Sequence, residues 1–152
     1  MKHGTKPGEV VDMLARECLG VRLRMIHRAV NGIYDNALRP HGLRAGQMTI
    51  LIGVAYAGSI KPGRLCRVMR MEKSTLSRDV EVLARKGWLA VEPDTEKRGQ
   101  TLRLSSSGAT LLKTVVPAWE QAQREVAELL GEAGVEAVHA TARKLGFPIC
   151  RS

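Results

Sequence analysis

The chain has 152 residues, 44% hydrophobic and only 3% aromatic, with a formal net charge of +9. That length fits one domain with enough apolar side chains to bury a core, which excludes wholesale disorder and leaves Leu, Val, Ile, Met and Ala to build it. The basic excess favours a polyanionic partner, mainly nucleic acid or an anionic membrane surface.

No segment is apolar for long enough to span a bilayer, and the opening MKHGTKPGEVVDM lacks the apolar middle of a signal peptide. No membrane partner and a cytoplasmic location are therefore expected. Cys18, Cys66 and Cys150 are odd in number and far apart. They offer no CxxC pair, no disulfide framework and no structural zinc site, and no metal or cofactor is expected.

The first nine or so residues read as a loose arm. From Val10 to Leu38 there is no proline, and Leu19, Leu23, Ile26, Val30, Ile33 and Ala37 recur at spacings of four and three. That is a seam on one helix face, widened by Leu14, Cys18, Val21, Met25 and Ala29. So broad a face has more to cover than one neighbour supplies, which predicts packing on its own domain and on a second subunit. The plainer alternative is a simple core helix. Pro40 and Gly42 in RPHGL break this helix. RAGQMTILIGVAYAG reads as a second, more buried helix ending near Gly58. A third begins at Pro62, where a first turn tolerates proline, with Leu65, Val68 and Met69 as its apolar face.

A turn at Met71 and Glu72 leads into KSTLSRDVEVLARK, which Gly87 stops. The alternating runs WLAVE and TLRLS, joined by PDTEKRGQ, predict a β-hairpin with a charged tip. Then SSSGATLLKTVVPAWEQAQREVAELL opens on hydroxyl caps and continues as a long helix, with a bend near Pro117. GVEAVHATARKL is a last short helix. The expected fold is mostly α with a small β-hairpin wing, a winged helix–turn–helix. It forms a single domain over residues 1–152, with the DNA-binding lobe at 43–105 between helices at 10–38 and 106–146.

On a wheel of 3.6 residues per turn, Leu76, Val80 and Leu83 share the core side of the helix that follows the turn. The opposite side carries Ser74, Arg78, Glu81 and Arg85, with Thr75 and Ser77 on its shoulders. Helix–turn–helix proteins place the first half of this helix in the major groove. Short hydroxyls permit close approach there, and arginine bonds the O6 and N7 of guanine in a bidentate fashion. In the hairpin, Leu102 and Leu104 point one way and Arg103 the other, while Lys97, Arg98 and Gly99 form the tip. An arginine there suits a narrow minor groove. Asp94 and Glu96 reduce the tip's charge and are placed to pair with that arginine. A solvated helix face and an ordinary charged turn are the bland readings of the same residues.

These stretches resemble the MarR family of winged-helix transcription regulators through nearly the whole chain. LRPHGLRAGQMTIL is similar to the family's junction of its first two helices, and MEKSTLSRDVEVLARKGWL to its recognition helix. EKRGQTLRLSSSGATLL resembles its wing and the start of its fifth helix, with Ser105 for the usual threonine. Glu96 stands where the family commonly has an aspartate two residues before the wing arginine. The resemblance implies a homodimer that binds double-stranded DNA at a pseudo-palindromic operator. Ser74, Thr75, Ser77 and Arg78 would face the major groove, Lys73 a phosphate, and Arg98 the minor groove with Lys97 beside it.

Family members often respond to a small-molecule effector, and others to cysteine oxidation. Cys18 lies in the first helix among Arg16, Arg22, Arg24 and His27, surroundings a reactive thiol uses, which makes it a candidate redox sensor. Its plainer role is a small apolar residue on the helix stripe, as packing is for Cys66. No phosphate loop, nucleophile elbow or His/acid/nucleophile constellation is present, so no enzymatic activity is expected. The rivals are a winged helix that binds RNA or a protein partner, and a nucleoid-type binder without site preference.

Overall fold

The computed structural model of the chain describes residues 7–146. Helix α1 (Pro7–Glu17) opens on Pro7, whose missing amide is no loss in a first turn, and places Glu9 in that turn. Helix thus starts three residues ahead of Val10, inside what the sequence suggested was a loose arm. Helix α2 (Leu19–Leu38) follows a break at Cys18, where ψ is 105°. The single helix expected over Val10–Leu38 is therefore two. Gly20 weakens helical preference beside the break. The carbonyls that the break frees need partners, and the Arg22 guanidinium takes one by donating to the Arg16 carbonyl.

A 3-10 turn over Arg39–His41 closes α2, and Gly42 reverses the chain at φ 69°. In α3 (Ala45–Ala57) the first amide donates to Asp35 Oδ1 of α2 at 2.7 Å, so a carboxylate from one helix caps the next. Then come α4 (Pro62–Met69) and α5 (Lys73–Arg85). The antiparallel strands β1 (Leu89–Pro93) and β2 (Gln100–Leu104) pair Leu89 with Leu104 and Val91 with Leu102. Ile60 exchanges two further backbone bonds with Leu102, at 3.0 and 2.8 Å, which anchors the hairpin to the chain two residues ahead of α4.

Helix α6 (Ser106–Thr114) is fixed by the SSSG run. Ser105 Oγ accepts from the Gly108 amide at 3.0 Å, and the Ser105 and Ser107 hydroxyls each donate to the Gly87 carbonyl at 2.6 Å. A Cβ on Gly108 would lie 2.2 Å from the Trp88 carbonyl oxygen, so only glycine lets α6 approach so closely. The run is a cap, as the sequence suggested. The long α7 (Val116–Lys144) carries Pro117 in its first turn, where the predicted bend falls, and Gly131 (φ 68°, ψ 168°) divides it ahead of the expected last helix.

The core is concentrated between Leu38 and Val115. Leu43, Ile50, Leu51, Val54, Leu65, Leu76, Leu83, Leu89 and Leu102 are buried there, together with Ile60. Outside that lobe the distribution reverses. α1 buries no residue and α2 only Leu38, while Leu14, Leu19, Leu23, Met25 and Ile26 stand exposed. Leu129 and Val138 of α7 are exposed as well. Of the seam read from the sequence, Leu19, Leu23 and Ile26 are exposed, while Val30, Ile33 and Ala37 are half-buried.

Candidate nucleic-acid interface

The helix–turn–helix consists of α4, a turn and α5. Arg70 turns the chain in the left-handed region, at φ 50° and ψ 41°, and the Met71 amide bonds the Cys66 carbonyl at 3.0 Å to close α4. Leu76 and Leu83 bury α5 against the core, with Val80 half-buried beside them. Ser74, Thr75, Ser77 and Arg78 are exposed along its first half, as the wheel predicted, and Lys73 is exposed ahead of them. Arg78 Nε bonds back to the Ser74 carbonyl at 3.3 Å, so the guanidinium lies along its own helix.

What fixes α5 against α3 is a polar link that sequence reasoning missed. Buried Gln47 donates from Nε2 to Asp79 Oδ1 at 3.3 Å, while its Oε1 accepts from the Arg44 amide at 3.3 Å. Lys86 adds a second tie, donating to the Gly42 carbonyl at 2.5 Å with its ammonium 4.7 Å from the Trp88 ring centroid. Between these ties lies an open cleft of about 550 Å³ whose lining includes Arg39, Arg44, Thr75, Arg78 and Asp79.

The wing is organised by Asp94. Its Oδ1 accepts from the amides of Glu96 and Lys97, each at 3.1 Å, and its own amide donates to the Gly99 carbonyl at 2.9 Å. Its Oδ2 lies 2.6 Å from Lys61 Nζ, just ahead of α4. Asp94 therefore does not pair with the wing arginine, as its sequence neighbourhood suggested. Lys61 is nearer once Ile60 has joined the hairpin. The Lys61 ammonium and the Glu96 amide, the largest influences, hold the Asp94 carboxyl below its ordinary value. Lys97 and Arg98 remain exposed at the tip, while Arg103 pairs across the strands with Glu92 at 3.6 Å.

Farther from this surface, the Tyr34 hydroxyl of α2 donates to Gln123 Oε1 of α7, and burial pushes its pKa up, so it stays a neutral donor. Tyr34 stands between two clefts. One, of about 180 Å³, lies where α2, α3 and α7 meet and is lined by Met48 and Trp119 among others. The other, about 350 Å³, runs between α2 and α7 past Ile26, His27, Val126 and His139. Cys18 is half-buried at the α1–α2 break, and Cys66 packs against the core as expected. Cys150 lies outside the described residues. Among those residues no three His, Cys, Asp or Glu side chains gather as a metal site, and no helix is long and apolar enough to cross a membrane.

Residues 41–98, the helix–turn–helix and most of the wing, match the model of the MarR family. Over 94 residues the chain is 30% identical to the multiple antibiotic resistance protein MarR of Salmonella typhimurium and 28% to that of Escherichia coli. Those matches take in 61% of this chain and 65% of each relative's length. A mutant Escherichia coli MarR complexed with operator DNA superposes with a TM-score of 0.76 at 21% identity, covering 88% of this chain and 96% of that one. Bordetella bronchiseptica BpsR, whose DNA binding is regulated by 6-hydroxynicotinic acid, gives 0.74 at 23% identity over 86% and 94%. A probable transcriptional regulator from Pseudomonas aeruginosa gives 0.75 at 21% identity over 86% and 98%. At such identities the solved structures speak for the fold, and the sequence pattern of the helix–turn–helix and wing speaks for the family. Together they show that the chain has the winged helix–turn–helix fold of these proteins and that its residues 41–98 are similar to the MarR family.

Proposed function

We propose that this protein is a sequence-specific, double-stranded-DNA-binding regulator of transcription. It works in the cytoplasm as a homodimeric, ligand-responsive repressor, with no catalytic activity. The observation that carries the reading is the first half of α5, where Lys73, Ser74, Thr75, Ser77 and Arg78 stand exposed together. A hydroxyl-rich, singly guanidinylated helix start of this kind can approach base edges closely and read guanine. Lys97 and Arg98 at the wing tip suit the negative potential of a minor groove. The division of labour follows the burial. Residues 43–105 hold the core and form the reading lobe, whereas 10–38 and 106–146 carry the uncovered apolar faces that a second copy would bury. Two copies then meet a pseudo-palindromic operator.

The cleft where α2, α3 and α7 meet supplies concave, largely apolar space for a small-molecule effector between the reading lobe and the dimer helices, and the cleft between α2 and α7 extends that space on the other side of Tyr34. BpsR, with its regulation by 6-hydroxynicotinic acid, is a precedent for such a response on this fold. The test is selection of bound fragments from the source organism's own sheared DNA at near-physiological salt, with parent and Arg78→Ala in parallel. Enrichment of a few twofold-symmetric sites by the parent, lost in the variant, is expected. Equal broad recovery by both would replace this reading with a nucleoid-type binder, and no enrichment with an RNA or protein-partner module.

A further inference from the structure

The residues so far assigned to DNA leave a second basic surface unused. Helix α4 and its flanks carry Lys61, Arg64, Arg67 and Arg70, with no acidic residue between the first and the last. Lys61 is engaged by Asp94. Arg64, Arg67 and Arg70 are exposed, and none has a side-chain hydrogen bond or ion pair among the described residues. The inner side of α4 is filled by buried Leu65, with Cys66 and Met69 against the core, so the guanidinium groups have no inward partner.

Arg64 and Arg67 also form one wall of an open groove of about 630 Å³, whose other wall is Gly99, Gln100 and Thr101 at the base of the wing. Arg70 continues the row toward α5 from a left-handed backbone that glycine adopts freely and arginine does not. Side chains three apart on a helix sit about 5–6 Å from one another at Cβ. Such a row of free cations fits a chain of phosphates better than a lone anion. In helix–turn–helix docking the first helix crosses the nucleic-acid backbone while the second enters the groove.

We infer that α4 is a phosphate-binding helix: Arg64 and Arg67 seat the sugar–phosphate backbone in the groove between α4 and the wing, and Arg70 extends that grip toward α5. The inference rests on the DNA-binding reading and adds a sequence-independent clamp to it.

The experiment is a salt titration of binding to a labelled mixed-sequence duplex of about 30 base pairs, long enough for two half-sites. Parent, Arg64→Ala, Arg67→Ala and Arg124→Ala are compared, the last removing the same charge from α7. The slope of log K against log salt becomes shallower by about 0.9 for each phosphate that the protein no longer neutralises. That reduction is expected for Arg64→Ala and Arg67→Ala, with base preference in a selected pool unchanged, and none is expected for Arg124→Ala. Matching thermal unfolding curves exclude a folding defect. Slopes parallel to the parent's, or an equal fall in Arg124→Ala, would overturn the clamp while leaving DNA binding intact. A parent that binds no duplex at low salt would overturn the DNA reading itself.

Discussion

Lys61 and Asp94 hold the wing to the start of α4 through an ion pair of 2.6 Å. The same carboxylate takes the amides of Glu96 and Lys97, so one side chain both shapes the tip that presents Arg98 and ties it to the helix–turn–helix. Its pKa in the folded protein lies below the ordinary 3.8. A carboxylate depressed in this way contributes its full stabilisation above its unfolded value, and loses it only as pH falls through the lower folded value. The amide resonances of Glu96 and Lys97 are therefore expected to hold their positions on acidification through 3.8 and to move only below it. In Asp94→Asn that step should vanish. Titration of these amides at the ordinary aspartate value would show that the brace does not operate in solution.

Arg78 and Arg98 are assigned different duties, and the two should fail differently. Arg78→Ala is expected to lose about 1–3 kcal/mol of discrimination at particular operator positions, because a bidentate bond to a base edge is removed. Arg98→Ala should weaken operators with A·T-rich flanks most, since the narrow groove there attracts the guanidinium most strongly. Competition binding against a panel of single-base variants separates the two patterns. Parent-like profiles from both variants would mean that α5 and the wing dock in some other way.

The first half of the α2 seam stands exposed. Ile26 is 42% exposed and Leu23 64%, in a helix whose buried residues number only Leu38. Ile26→Glu puts a charge where a partner's apolar side chains would pack, and desolvating an unpaired carboxylate is costly. Sedimentation equilibrium should give a dimer mass for the parent and a monomer mass for the variant. An unchanged mass would remove the seam from the subunit interface.

What the sequence revealed follows from how local each signal is. Leu76 and Leu83 on one side of α5, and Leu102 and Leu104 in the wing, were legible because burial repeats with the period of the element. Pro40, Gly42, Pro62 and Gly87 marked element ends by their own backbone chemistry. The break at Cys18 was not legible, because no proline marks it and the apolar repeat runs on across it. Nor were the bonds of Asp94 with Lys61 and Gln47 with Asp79, whose partners are distant in sequence and meet only once the lobe has folded. The arginines of α4 were legible as residues but not as a row. Their freedom from partners appears only when Leu65 turns inward.

Gly108 should be among the least replaceable residues in the lobe. A Cβ there would meet the Trp88 carbonyl oxygen at 2.2 Å and Leu104 Cδ1 at 2.8 Å, and the nearer of these is backbone. Relief requires α6 to move off the hairpin, which strains the serine bonds to Gly87. Gly108→Ala is expected to destabilise by about 2–3 kcal/mol, the range of overpacking. Ser105→Ala, which removes the cap and one of the two hydroxyl bonds to Gly87 but introduces no clash, should cost about 1–2 kcal/mol. Urea unfolding measures both. A Gly108→Ala midpoint equal to the parent's would mean that α6 does not sit this close to the hairpin.

Arg70 gives the opposite sign. At φ 50° a side chain crowds its own carbonyl, a cost of about 1–2 kcal/mol for a residue other than glycine. Glycine removes that strain but gives back roughly 0.5–1 kcal/mol through the greater freedom of its unfolded chain. Arg70→Gly is therefore expected to leave the protein as stable as the parent, or more stable by up to about 1.5 kcal/mol. If Arg70 touches phosphate, the same variant should show a salt slope shallower by about 0.9 in duplex binding. Greater stability with weaker, less salt-sensitive binding would mark an arginine kept at the turn for its charge. A variant that is both less stable and unchanged in salt slope would place the value of Arg70 in the fold instead.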